Sequence, residues 1–477
     1  MNLQTSLISR HSRRGAAMPL LAGAACCIVL AAAAQTAPAT APSQARAPAV
    51  AQASTFAQQS PLPYHSTDRT LGTVNCANSL CHGSITRWKD SNILQNEYVT
   101  WSRVDKHARA YNILLNARSQ RIVKNLGLKE PAHEAKICLD CHADNIAPAQ
   151  RGERFKLSDG VTCEACHGPA ERWIKPHVAP EATHAQNLAN GLYPTAETIP
   201  RARLCLSCHF GNADKFVTHR IMGAGHPRMS FELETFSMIE PAHYRIDKNY
   251  EERKQVFDGV KVWAVGQALA VAEIMDIMSD PKRGRDGLFP ELVLFDCHAC
   301  HHPMSDLRWR PKTAFGPSPG PGVARLNDAN MLMLRAIAAQ VDPALGERVT
   351  AQVARLHRAA AGQGDALAEA AALKRLSYEV AERIEKFTFS ERALRGIALS
   401  LIDEGLAGNY NDYAGAEQAA MAIGSVVDFM HKRGLVGSVP AVNASLNRLR
   451  ATLANDEQYK PAEFQARLKE FRQVIAR

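Results

Sequence analysis

Ten of the twelve cysteines occur in five pairs, and a histidine directly follows each pair. Four pairs have the spacing Cys-x-x-Cys-His, whereas the first, CANSLCH, has four residues between its two cysteines. Two thiols at such a spacing can add to the two vinyl groups of a porphyrin, and the adjoining imidazole can then bind the iron. We number the motifs in chain order as site 1 (Cys76, Cys81, His82), site 2 (Cys138, Cys141, His142), site 3 (Cys163, Cys166, His167), site 4 (Cys205, Cys208, His209) and site 5 (Cys297, Cys300, His301).

A pair of cysteines alone would also fit a zinc site or a thiol redox site. Histidine is only 18 of the 477 residues, so its presence after all five pairs is not expected by chance. The sequence therefore predicts five covalently bound haem c groups, with His82, His142, His167, His209 and His301 as proximal iron ligands. Site 1 is included because its two extra residues can bulge outward without moving the thiols or His82.

Each iron needs a second, distal ligand if the haem is a low-spin electron carrier. His107 lies on a predicted helix, His177 follows site 3 by ten residues, and two histidines flank a segment in which Gly223 and Gly225 allow a close approach of the backbone. The candidate distal ligands are His65, His107, His177, His219, His226 and His243. For each of them the alternative is a histidine that bonds a haem propionate or faces solvent.

The order of these motifs resembles the tetrahaem cytochrome c-554 family of ammonia-oxidising bacteria. The resemblance spans about residues 70–210 and rests on Trp101 with His107, then CLDCH, then GVTCEACHGPA with His177 downstream, then CLSCH. It implies that His107 and His177 are distal ligands and that site 2 lacks a strong one, a vacancy that the sequence alone does not establish here. The spacing in site 1, the whole of site 5 and the C-terminal residues depart from the family, so a function taken from it is an analogy.

The N-terminus has the pattern of an export signal. A basic stretch precedes an apolar, uncharged run from Met18 to Ala34, which predicts a signal peptide over residues 1–34. If this segment is not cleaved, it would tether the protein to a membrane. The next residues, 35–68, are rich in Ala and Pro and predict a disordered linker.

The remaining chain divides into two predicted domains, a pentahaem cytochrome c domain over 69–312 and an α-helical bundle over 313–477. A Pro/Gly-rich stretch, 308–322, separates them. Apolar residues spaced three and four apart predict about six helices after residue 326, with Ser390 as one N-cap and Gly405 or Gly408 as the end of that helix. The predicted fold class is mainly α, a multihaem cytochrome c core with little regular sheet followed by a helical bundle.

Two functions fit these motifs. The first is an exported, periplasmic pentahaem cytochrome that relays electrons between redox proteins, such as a membrane quinol-oxidising protein or an outer-membrane conduit. The alternative is an enzyme that reduces or oxidises a small nitrogen or sulfur compound at a five-coordinate haem. The carrier is favoured because all five sites end in histidine. The formal charge of +9 does not indicate a nucleic-acid partner, because no basic patch with interleaved aromatic residues accompanies it.

Overall fold

The computed structural model describes residues 61–89, 91, 93–253, 256, 258–302, 311–317 and 320–475. These residues form eighteen α-helices and several 3₁₀ turns. Their only β pairing consists of the isolated bridges Thr70–Arg151 and Phe295–Leu326. The predicted mainly α class is confirmed. The predicted signal peptide and residues 35–60 of the predicted linker lie outside the described residues.

The N-terminal part, up to site 5, is built mostly from short helices. They are α1 Glu97–Val104, α2 Ala110–Ile113, α3 Ala117–Leu126, α4 Lys136–His142, α5 Cys163–His167, α6 His184–Ala189, α7 Thr198–His209, α8 His219–Gly223, α9 Leu233–Ile239, α10 Lys248–Arg253 and α11 Gly259–Ser279. The 3₁₀ turns are Pro63–His65, Thr73–Asn75, His107–Arg109, Pro148–Gln150, Leu157–Asp159, Pro176–Val178, Leu292–Leu294 and Cys297–Ala299. Helices of four to eight residues are not stable alone in water, so tertiary contacts must hold most of these segments.

Helix α11 is a core helix. Apolar residues spaced three and four apart, among them Val260 and Val271, predict a helix with one apolar face. Both sides are buried instead, including Val262 and Leu269, because this helix is hydrophobic all round. It is long and apolar enough to cross a membrane by length and composition, yet 78% of its most apolar window is buried inside the protein. Trp263 is fully buried in this core.

The described residues from 320 to 475 form seven helices, where about six were expected. They are α12 Ala329–Val341, α13 Pro343–Ala360, α14 Ala366–Lys386, α15 Glu391–Leu406, α16 Tyr413–Lys432, α17 Val439–Ala451 and α18 Pro461–Ile475. Helices α12 and α13 meet at Asp342, whose side chain accepts a hydrogen bond from the Ala344 amide at 3.0 Å just before α13 begins. Ser390 caps α15 as predicted, accepting from the Ala393 amide at 3.2 Å.

One continuous hydrophobic core extends from α7, α9 and α11 into the seven C-terminal helices. It therefore crosses the predicted domain boundary at residue 312. Lys312 itself is buried, with its ammonium 2.8 Å from Asp328 and in contact with Asp412. A second, much smaller apolar cluster lies around site 2 and comprises Leu114, Val123, Ala132, Ala135, Leu139 and Ala143.

Candidate functional site

The five motifs lie on local structures that bring their thiols and histidine to one side. Site 2 lies within α4, site 3 forms α5, and site 4 forms the last turn of α7. Site 5 lies on the 3₁₀ turn Cys297–Ala299, where the His301 amide donates to the Cys297 carbonyl at 2.8 Å. All ten motif thiols are free rather than joined in disulfides, as thioether attachment requires.

Site 1 has the same hydrogen bond between its histidine and its first cysteine as site 5, despite its longer loop. The His82 amide donates to the Cys76 carbonyl at 3.2 Å, the counterpart of the bond in site 5. The inserted residues turn back on Asn78, which accepts from the Cys81 and Gly83 amides, and Leu80 points outward with 74% of its surface exposed. A β-carbon on Gly83 would collide with the Ala77 carbonyl oxygen, so the tight return requires glycine.

Every proximal histidine candidate faces a second histidine. The ring centres are separated by 6.4 Å in His82–His177, 6.5 Å in His142–His226, 6.2 Å in His167–His243, 5.8 Å in His209–His107 and 6.0 Å in His301–His219. Direct ring stacking would bring the centres closer. Two imidazoles bound on opposite sides of one metal, with bonds of about 2.0 Å, have their centres roughly 6 Å apart. The donor set at each site therefore fits an iron held between two histidines.

Several of these histidine rings are oriented by a hydrogen bond made by the ring Nδ1 atom. His82 bonds Glu97 at 3.0 Å, His107 bonds Asp105 at 3.0 Å, and His177 bonds the Ile174 carbonyl at 2.7 Å. His142 and His226 bond backbone carbonyls in the same way, at 3.3 Å and 2.8 Å. An Nδ1 engaged as a donor leaves Nε2 with a free lone pair, which is the arrangement of a metal-binding histidine.

The carboxylates at two sites also change the basicity of the rings. The hydrogen bond that Glu97 accepts from His82 raises the pKa of His82, and the one that Asp105 accepts from His107 raises the pKa of His107, each against the opposing effect of burial. At His142 there is only a carbonyl partner, and burial lowers the pKa. Asp105, His107 and Glu240 also form a compact group of potential metal ligands, but His107 already belongs to the pair with His209.

His65 is not among the paired histidines. It lies on the 3₁₀ turn Pro63–His65, and its Nε2 is 2.9 Å from a carboxylate oxygen of Asp214. The turn packs against the segment that follows site 4, where Tyr64 also bonds Asp214 and Asn212. The structure thus brings five of the six candidate distal residues to a motif histidine and places the sixth at a surface ion pair.

The sites contact one another in an order that differs from the chain order. The thiols of Cys76 and Cys163 lie against each other, which joins site 1 to site 3. Burial raises the pKa of Cys166 in site 3, and the charge of Glu240 and then those of Cys205 and Cys208 in site 4 add to the increase, so sites 3 and 4 lie near each other. Cys208 in turn contacts Cys141, which joins site 4 to site 2.

Buried Glu164 reinforces the contact between sites 1 and 3. Its carboxylate, within CEACH, accepts hydrogen bonds from the amides of Leu71 and Gly72 at 2.8 and 2.7 Å, just before site 1. It also accepts from the Ala170 amide at 2.8 Å. A short segment also connects site 5 to site 2. His219 faces His301 of site 5, His226 faces His142 of site 2, and these two residues are only seven positions apart in the chain.

Residues 75–168 match the family model of cytochrome c554 and c-prime. The match supports a multihaem c-type cytochrome with covalently bound haem c. It covers about a fifth of the 477 residues and includes sites 1, 2 and 3. No curated protein and no solved structure matches the chain.

Sequence reasoning did not find the residues that orient the paired histidines. Glu97 lies fifteen residues from His82, and no local pattern connects the two. Asp105 is closer, two residues before His107, and a carboxylate at that spacing was a weak signal for an oriented imidazole. The sequence also did not assign the candidate distal histidines to individual sites, because each pair joins distant parts of the chain.

Proposed function

We propose that the protein is an exported pentahaem c-type cytochrome that relays electrons between redox partners. Haem c supplies one-electron redox chemistry when it is bound. The cysteines of the five sites would hold it covalently, and His82, His142, His167, His209 and His301 would bind iron from one side. His177, His226, His243, His107 and His219, in the same order, would bind from the other side.

The observation that carries the proposal is the pairing of all five motif histidines at 5.8–6.5 Å. An iron bound by two histidines has no position left for a substrate, so this arrangement favours electron transfer over catalysis at the metal. Site 2 is the most informative case. The resemblance implied a missing strong ligand there, but the ring of His226 lies opposite His142.

The contacts between thiols suggest the route. Thiol contacts join site 1 to site 3 and site 4 to site 2, sites 3 and 4 lie close enough for their thiols to interact electrostatically, and the segment from His219 to His226 connects site 2 to site 5. We expect electrons to pass between the sites in this spatial order, with site 1 and site 5 as the two ends. Leu80 and Ile85, 74% and 77% exposed, lie in or near the outward loop of site 1, where a partner could approach.

The proposal includes export to the periplasm and redox protein partners there, of which a membrane quinol-oxidising protein and an outer-membrane conduit are candidates. Export rests on the apolar segment 18–34. Determining the mature N-terminus of the protein from its native host by mass spectrometry tests it. A start after residue 34 supports export with cleavage, and an intact segment in a membrane fraction supports the tethered form.

Electron paramagnetic resonance of the fully oxidised protein tests the carrier function. We expect low-spin ferric signals alone, with no change on adding cyanide or nitric oxide. Pyridine haemochrome analysis combined with intact mass should count five haems. A high-spin ferric signal that cyanide abolishes would instead favour the enzyme alternative, and a mass increment of four haems with Cys76 and Cys81 alkylatable would remove site 1.

A further inference from the structure

We propose that Lys215 is a fixed, buried positive charge that raises the reduction potentials of the haems attached at sites 2 and 4. The inference rests on the proposed electron-transfer function and adds a residue that sets its energetics. Lys215 belongs to none of the five motifs and is not an iron ligand. It would act through the electric field that it creates at the place where the two sites meet.

A turn after α7 brings Lys215 back to site 4, which it follows in the chain. Helix α7 ends at His209, and Gly211 then adopts a φ of +111°. The chain turns there, and the Asn212 amide donates a hydrogen bond to the Lys215 carbonyl at 2.9 Å. The Asn212 side chain also accepts from the Lys215 amide at 3.1 Å. This closed turn fixes the position of the lysine backbone.

The ammonium group then contacts both sites. Lys215 Nζ lies 3.1 Å from the Cys208 sulfur of site 4 and 3.0 Å from the Asp140 carbonyl of site 2. It also lies over the Tyr64 ring, 4.1 Å from its centre. Only 9% of the residue is exposed. Because Cys208 also contacts Cys141, the charge stands where the attachment points of two haems meet.

The nearby carboxylates are engaged elsewhere. Asp140 bonds Lys136 at 2.6 Å and Asn145 at 2.7 Å, while Asp214 bonds His65 and Tyr64. Within the part of the chain that the structure describes, no carboxylate oxygen lies within 4.0 Å of Lys215 Nζ. Thioether bonds form on the porphyrin edge that is remote from its two propionates, so a haem's own carboxylates lie away from this lysine. Lys215 therefore forms no direct ion pair with a described carboxylate, and the charges of Asp140 and Asp144 act on it only from farther away.

A buried positive charge favours the electron-rich state of a neighbouring redox centre. Reduction adds one negative charge to each haem, and the attraction between that charge and an ammonium is stronger in a protein interior than in water. Burying an unpaired ammonium disfavours folding. The carbonyl, sulfur and aromatic contacts offset part of that penalty and keep the charge in place.

Spectroelectrochemical titration of the intact, haem-loaded protein tests this role. In Lys215→Met we expect two of the five one-electron transitions to move to lower potential, each by a tenfold change in the reduction equilibrium or more, which is 59 mV for one electron. Lys215→Arg keeps the charge and should retain most of the wild-type potentials. The control Lys124→Met removes an exposed charge on α3, where water screens it, and should leave all five transitions in place.

Unchanged potentials in Lys215→Met, or equal shifts in Lys215→Arg or Lys124→Met, would overturn the proposal. Haem content by mass is measured on every variant, and Lys215→Gln replaces Lys215→Met if the latter loses haem. Loss of haem from both neutral variants would show that Lys215 is a structural tie instead, which also overturns it. These outcomes are distinguishable from a failure of the proposed electron-transfer function. That failure would be seen in the wild-type protein, as fewer than five haems or as a high-spin ferric signal.

Discussion

The imidazole rings of His142 and His226 face each other with their centres 6.5 Å apart and their planes inclined by 72°. Each ring has its Nδ1 engaged by a backbone carbonyl, that of Ala110 for His142 and that of Pro227 for His226. The remaining nitrogens are therefore the ones available to a metal between them. This pair distinguishes the protein from what its resemblance to the tetrahaem cytochromes implied for site 2.

Removing the distal ring should open site 2. We expect His226→Leu to keep five covalent haems, because the thioether bonds do not depend on this residue, while about one fifth of the iron becomes high-spin and binds cyanide. Electron paramagnetic resonance with and without cyanide measures the change. His65→Leu is the matched control, since His65 contacts Asp214 and no motif histidine, and it should remain fully low-spin. A low-spin His226→Leu protein would show that another group binds this iron.

The long loop of site 1 should depend on Gly83. In Gly83→Ala the added carbon meets the Ala77 carbonyl oxygen, so the return of the loop to Cys76 is disrupted and haem attachment at site 1 should fall. Intact mass spectrometry would then show a mixture of four and five haems. Gly320→Ala, where an added carbon meets nothing within 4 Å, should retain five. Full occupancy in Gly83→Ala would mean that this loop tolerates a different path.

Lys312 should stabilise the junction between the haem-bearing part and the C-terminal helices. Lys312→Met leaves the buried carboxylates of Asp328 and Asp412 without their shared cation, and we expect a loss of about 3–5 kcal/mol in the free energy of unfolding. The control Arg348→Met breaks an exposed pair with Glu379 and should lose only about 0–1 kcal/mol. Urea unfolding followed by helical circular dichroism gives both values, and equal losses would contradict a special role for Lys312.

Glu234 should make stability depend on pH. Burial, followed by the charge of Glu232, raises the pKa of Glu234 to about 7. The folded state therefore holds a proton that the unfolded state releases near pH 4.5, so stability falls as pH rises from about 4.5 to 7. Glu234→Gln should be more stable than wild type by about 1–3 kcal/mol above pH 7.5 and no more stable below pH 4.5.

Urea midpoints measured across that pH range test the Glu234 prediction. The exposed Glu130 supplies a control, and Glu130→Gln should follow the wild-type profile. A constant difference between Glu234→Gln and wild type at every pH would show that the substitution acts through packing and not through the carboxyl proton.

The sequence alone predicts the attachment residues because the chemistry is local. Two thiols and a histidine must be near neighbours in the chain to hold one porphyrin, as in CLDCH at 138–142. The distal partners could be nominated but not assigned. Each pair joins residues from 76 apart, His167 and His243, to 102 apart, His107 and His209, and no short-range pattern carries that information.

The spacing of apolar residues predicted individual helices, because this signal depends only on residues that are close in sequence. The apolar residues spaced three and four apart after residue 326 include Leu373 and Val380, which lie on the buried side of α14, and Ser390 correctly marked the start of α15. Periodicity did not show that α11 would be buried on all sides by helices from both parts of the chain, nor that Lys312 would be enclosed beside a Pro/Gly-rich stretch. Those outcomes depend on packing between segments that lie far apart in sequence.

The small apolar cluster around site 2 has six fully buried members, whereas the large core extends from α7 to α18. Short helices with so little apolar packing cannot supply the free energy that a stable domain needs. Iron bonds between partners up to 102 residues apart would act there as cross-links, closing long loops as disulfides do elsewhere. Folding of the segments that precede α7 would then coincide with haem attachment, and the haem groups would take the place of an apolar core there.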